Sequence, residues 1–184
     1  MATVVDQAKD QMKKTVEATE ENFIGIRTGR ANPALLNGIM VDYYGAMTPL
    51  KALASIAVPE PRTLAVTPFD QSQAPAVEKA IRDSDLGVNP NRDGAVIRVT
   101  LPDLTEERRK EYVKLARNKA EEGKVAVRNI RRKTKEAIDA AVKDGDMGED
   151  EGNRLHKDLD TLTKKTSDEI DSLLEKKEKE ILEV

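Results

Sequence analysis

With 184 residues, of which 38% are hydrophobic, 35% charged and only 3% aromatic, the chain has the make-up of a helix-rich soluble protein rather than a large globular enzyme. It has no cysteine, which excludes disulfides and thiolate metal sites and fits a reducing compartment. The net charge of −3 conceals a strong asymmetry along the chain.

The N-terminus meets charge at Asp6, before any apolar core of a signal peptide can form. The longest uncharged stretch, residues 31–41, falls short of the roughly 18 residues of a membrane span. The expectation is a cytoplasmic protein without membrane contact.

All eight prolines lie between Pro33 and Pro102. Proline lacks an N–H donor and clashes with the preceding helical turn, so residues 1–30 and 105–184 are free to form long helices and the middle is not. The first segment places Val5, Ala8, Met12, Val16, Thr19, Phe23 and Ile26 on one helical face.

Residues 31–104 read differently. Candidate strands are 39–44, 53–58, 63–67 and 95–101, rich in aliphatic and β-branched residues and bounded by Gly or Pro. A helix over 73–83 sits between the last two, with Ala76, Val77, Ala80 and Ile81 as its inner face. Only 14 of these 74 residues are charged, which suggests a small α/β domain.

The third segment starts at Thr105, a helix N-cap followed by Glu106 and Glu107 at the positive end of the helix dipole. Its stripe runs through Tyr112, Ala116, Ala120, Gly123, Val127, Ile130, Thr134, Ala137 and Ala141. Gly145 and Gly148 mark a turn, and a last stripe follows at Leu155, Leu159, Leu162, Thr166, Ile170, Leu173, Lys177 and Ile181.

Three amphipathic helices with matching faces predict a three-helix bundle, in preference to an extended dimeric coiled coil. The expected fold is α+β: a discontinuous bundle of 1–30 and 105–184, interrupted by an inserted β/α/β domain of 31–104. Two chain crossings form a hinge, Arg30, Ala31, Asn32 and Pro33 on one side and Pro102, Asp103, Leu104 and Thr105 on the other.

No catalytic constellation is visible, so the chain reads as a non-enzyme without metal or cofactor. The only histidine, His156, has no partner cluster, and neither phosphate-binding glycine motif occurs. The acidic run Asp144, Asp146, Glu149, Asp150 and Glu151 lacks the glutamate that ends a calcium loop and reads as an acidic helix start. A metal-dependent nuclease built on that run is the enzymatic rival, and its mark would be metal-dependent turnover by the isolated chain.

Between Arg108 and Lys135 there are twelve Lys or Arg against three Glu, whereas residues 136–184 carry eight basic and sixteen acidic groups. Lys110, Lys114, Arg117, Lys124, Arg128, Arg131, Arg132 and Lys135 fall within about 100° of one another at ~100° per residue, interrupted only by Glu121. Charge alone leaves two readings balanced: a face neutralised by the acidic final helix, or a contact for a nucleic-acid backbone. Surface ion pairs contribute only about 0–1 kcal/mol each, and arginine dominates residues 127–132, where bidentate phosphate recognition wants it. No aromatic platform is interleaved, so folded RNA bound by shape is expected rather than stacked single strands or DNA. An adaptor protein that recruits a helical partner is the rival from another class.

The motifs IRTGRANP at 26–33, YYG at 43–45, RTL at 62–64, AVEKAI at 76–81, SDLGVNP at 84–90, LTEERRK at 104–110 and VRNIRR at 127–132 resemble those of the bacterial ribosome recycling factor family. They are spread over most of the chain. The resemblance implies a three-helix bundle and a compact βαβ-containing domain joined by a hinge, together approximating the shape of transfer RNA. It implies a monomer that binds the post-termination ribosome, chiefly rRNA of the large ribosomal subunit, and works with GTP-bound elongation factor G to separate the subunits. By the same resemblance Arg128, Arg131 and Arg132 are the principal rRNA-binding residues, with Arg109, Lys110, Arg117 and Lys135 alongside.

Overall fold

Proline confines the long helices to the two ends of the chain in the computed structural model, which describes residues 2–183. Among the described residues four α-helices form: α1 (Val4–Ile24), α2 (Ala74–Arg82), α3 (Glu106–Lys143) and α4 (Glu149–Leu182). Six strands form: β1 (Met40–Tyr43), β2 (Ala46–Pro49), β3 (Ala54–Glu60), β4 (Thr63–Pro68), β5 (Asn91–Asp93) and β6 (Val96–Thr100). Two compact units result: Met1–Phe23 with Glu111–Glu180, and Ile24–Lys110 with Ile181–Val184.

The first unit is a bundle of α1, α3 and α4. The predicted α1 face is its buried face: Ala8, Met12, Val16, Thr19 and Phe23 are all buried. On α3 the seam is Val113, Ala116, Ala120, Gly123, Val127, Thr134 and Ile138. The sequence stripe is therefore displaced by one residue at each end: Tyr112 is half-buried and Ala137 exposed. Ile138 takes the core position from Ala137 because it removes more area from water, and the wholly apolar Val113 takes it from Tyr112, whose hydroxyl needs a polar partner or water.

Small residues bring the helices close. A Cβ built on Gly123 would lie 2.5 Å from Thr19 Oγ1 and 3.4 Å from Ile170 Cδ1, so α1, α3 and α4 meet at that point. Buried threonines replace larger apolar groups in the seam, and their hydroxyls return to the preceding turn: Thr19 donates to the Thr15 carbonyl, Thr134 to Ile130 and Thr166 to Leu162, each at 2.8 Å. That satisfies the hydroxyl within its own helix. The α3–α4 turn closes on Gly145, whose φ of +80° suits glycine.

The second unit carries two antiparallel sheets. Strands β1 and β2 form a hairpin, and a four-stranded sheet runs in the order β3-β4-β6-β5. Its core is Leu36, Val41, Leu50, Leu64, Val66, Val77, Ile81, Ile97 and Val99 among others, all buried. Two strands escaped the sequence reading. Asn91–Asp93 is wholly exposed, and Ala46–Pro49 has no buried residue; both are strands by backbone pairing with β6 and β1, not by apolar pattern. The hairpin turn has positive φ at both residues, +50° at Tyr44 and +85° at Gly45. Tyrosine is an unusual occupant of such a position.

Candidate nucleic-acid interface

Thr105 caps α3 as its sequence position predicts: its Oγ1 accepts the Arg108 N–H at 3.1 Å, and its carbonyl accepts the Arg109 N–H at 3.0 Å. From that start the helix period places an inner row of Arg117, Lys124 and Arg131 on the side towards the buried seam, with Lys135 at the same angle as Arg117 five turns on, and puts Arg128, Lys114 and Arg132 farther out.

The inner row is neutralised by α4. Arg117 meets Glu178 at 2.6 Å, Lys124 meets Asp171 at 2.8 Å, and Arg131 meets Asp160 at 2.8 Å. As the position on α3 rises its partner on α4 falls, the signature of antiparallel neighbours. The ion-paired reading thus applies to this row. Arg128 turns along its own helix to Glu121, 2.7 Å away, and its guanidinium holds that carboxyl below its usual range.

The cations outside this ladder differ. Lys114 and Arg132 farther out, Lys135 at the C-terminal end of the stripe and Lys133 beyond it are exposed and enter no ion pair among the described residues. Lys133 was not singled out from the sequence, because its angle on the helix lies away from the stripe. Of the two expected residues in the second unit, Lys110 pairs with Glu106 at 3.3 Å. Arg109 is half-buried, and its Nε is a buried donor without an acceptor.

The expected hinge residues all group with the sheet unit. Ala31 donates its N–H to the Pro61 carbonyl at 2.7 Å, and Leu101 donates to the Arg62 carbonyl at 2.8 Å. The Arg62 guanidinium pairs with Asp103, and Arg27 donates to the Pro102 carbonyl. Asn32 caps a short 3₁₀ turn begun by Pro33, and Leu104 is buried. Arg30 reaches Glu183 at 3.2 Å. The β3–β4 turn at Pro61–Arg62 therefore holds both crossings, a role that local sequence pattern does not disclose.

His156 sets its Nε2 against Asp139 Oδ1 at 2.9 Å. The acidic run falls where expected, with Glu149, Asp150 and Glu151 in the first turn of α4. Among the described residues no group of His, Cys, Asp and Glu is arranged to hold a metal, and no helix is long and apolar enough to cross a membrane.

Comparison with known proteins adds an independent line. The profile of the family described as ribosome recycling factor matches residues 19–182. A ribosome-recycling factor of Bifidobacterium adolescentis is 77% identical over 184 residues, covering 100% of both chains. One of Thermobifida fusca is 60% identical, over 97% of this chain and 96% of its own. A solution structure of a ribosome recycling factor superposes with a TM-score of 0.76 at 46% identity, covering 98% of this chain and 96% of the other. A second structure places a T. thermophilus ribosome recycling factor and E. coli elongation factor G on the E. coli post-termination complex. It matches with a TM-score of 0.67 at 46% identity, covering 97% of each chain.

Proposed function

Because this chain belongs to the ribosome recycling factor family, we propose that it is a translation factor that binds the post-termination ribosome. With elongation factor G and GTP it splits that ribosome into subunits, which releases mRNA and tRNA for a new round. The chain works as a cytoplasmic monomer and performs no chemistry of its own; the energy comes from GTP on the partner.

The observation that carries the attachment is the basic face of α3. Lys114, Arg132 and Lys135 on that face lack intramolecular carboxylate partners among the described residues, beside three cations whose charge α4 already balances. Unneutralised cations on a rigid helix suit the phosphate backbone of large-subunit rRNA, because binding releases condensed counterions. The sheet unit, carrying the clamped crossings at 30–33 and 102–105 with it, then moves relative to the bundle when the GTPase acts on it.

The test compares Arg132→Ala with Lys135→Ala against Arg117→Ala in binding to isolated large subunits over a salt series. The double variant is expected to flatten the slope of log affinity against log salt by about 1.5, at ~0.7–0.9 per lost phosphate contact. Arg117→Ala, whose charge is already matched by Glu178, is expected to change it much less. An unchanged slope in the double variant overturns the anchoring role.

A further inference from the structure

The sheet unit carries a groove of about 760 Å³ between the β1–β2 hairpin, α2 and the turn after α2. Its floor is the outer layer of the unit's core: Leu35, Ala76, Ala80 and Leu86 line it and pack against the buried cluster. Met40 and Met47 form one wall and are 43% and 63% exposed. Methionine walls adapt to side chains of varied shape.

The rim is acidic. Asp42 lies on the hairpin, where its Oδ1 accepts the Gly45 N–H at 2.9 Å, and Asp83 and Asp85 follow α2. None of the three enters an ion pair among the described residues. Lys79 is the one cation among the lining residues. Ser84 spends its hydroxyl on the Ile81 carbonyl at 2.6 Å. A small polar ligand would find few convergent donors here, and three uncompensated carboxylates repel a phosphate backbone.

We propose that this groove seats a basic amphipathic helix of a protein partner. Apolar side chains at helical spacing lie on the Leu35–Ala80–Leu86 floor and against the two methionines, and Lys or Arg on the helix flanks meet Asp42, Asp83 and Asp85. The volume matches about two turns of a helix ~10 Å wide, the usual scale of helix-in-groove recognition. The site is separate from the α3 cations, so it stands or falls independently of the rRNA contact.

The chain's own methionines make the test direct. In the full protein with labelled Met methyls, a short synthetic amphipathic helix bearing Leu on one face and Lys or Arg on the other is titrated in. Saturable shifts are expected at Met40 and Met47. Met147, which lies in the acidic α3–α4 turn, reports nonspecific attraction and is expected to stay still. Asp83→Lys with Asp85→Lys is expected to weaken binding at least tenfold, and the same peptide with its cations replaced by Glu is expected to bind that variant. Absence of binding, shifts centred on Met147, equal binding of a neutral apolar helix, or an RNA duplex shifting Met40 and Met47 would each overturn the proposal.

Discussion

Gly123→Ala is the sharpest perturbation of the bundle. The added Cβ would stand 2.5 Å from Thr19 Oγ1, well inside van der Waals contact. Thr19 cannot yield freely, because its hydroxyl is bonded to the Thr15 carbonyl at 2.8 Å. Overpacking of this kind costs about 1–3 kcal/mol, and replacing a mid-helix glycine by alanine returns about 1 kcal/mol. The expected net loss is about 1 kcal/mol, a fall in Tm of roughly 2–4 °C for a chain of this size, read by calorimetry. Thr19→Ala removes the obstructing hydroxyl and leaves the new methyl at ordinary distances from Thr19 Cβ and Ile170 Cδ1, 3.5 and 3.4 Å. In that background Gly123→Ala is expected to be neutral or stabilising. An equal loss in both backgrounds would refute the argument, since the clash would then lie elsewhere.

Burial lowers the pKa of Lys177 below the ordinary lysine value, against a weaker pull from Glu180. Its charge therefore destabilises the fold at every pH below its folded pKa, and that penalty vanishes as pH rises through the folded value towards 10.5. Lys177→Met is expected to raise Tm at pH 7 and to lose that advantage in alkali, as paired melts will record. Ser72 and the Tyr44 hydroxyl hold the Asp70 carboxyl below its usual range; Asp70 thus favours the fold above the ordinary carboxylate pKa, and the gain is lost as pH falls through the folded value. Tyr44→Phe is expected to move the Asp70 titration, followed by carboxyl NMR, upward. Asp160→Asn removes a carboxylate from Arg131. For a phosphate ~6 Å away in water that is about 0.7 kcal/mol, or roughly threefold tighter binding to large subunits at low salt; unchanged affinity would exclude Arg131 from the contact.

The helical framework was legible because proline placement and a seven-residue apolar rhythm are local properties. The one-residue drift at Val113 and Ile138 shows the limit: period alone does not decide between adjacent residues, and the amount of apolar surface and the polar hydroxyl of Tyr112 do. Asn91–Asp93 and Ala46–Pro49 were illegible because their strand character resides in partners elsewhere in the chain. The candidate interface divided in the same way. The angular clustering of the cations follows from helix geometry, but which of them α4 neutralises depends on the register of two helices joined by a turn. The clamp at Pro61–Arg62 likewise uses two carbonyls that any residue supplies and an Arg62–Asp103 pair between residues far apart in the chain.

The ladder of Arg117–Glu178, Lys124–Asp171 and Arg131–Asp160 has a mechanical consequence. A slip of α4 by one turn, about 5.4 Å, would break all three pairs together, so the ladder acts as a detent against sliding. With the detent engaged, α3 becomes a gauge of fixed length. Its cations from Lys114 to Lys135 span about 30 Å at ~1.5 Å per residue. In the proposed rRNA contact such a gauge measures the spacing of phosphates and is indifferent to their bases.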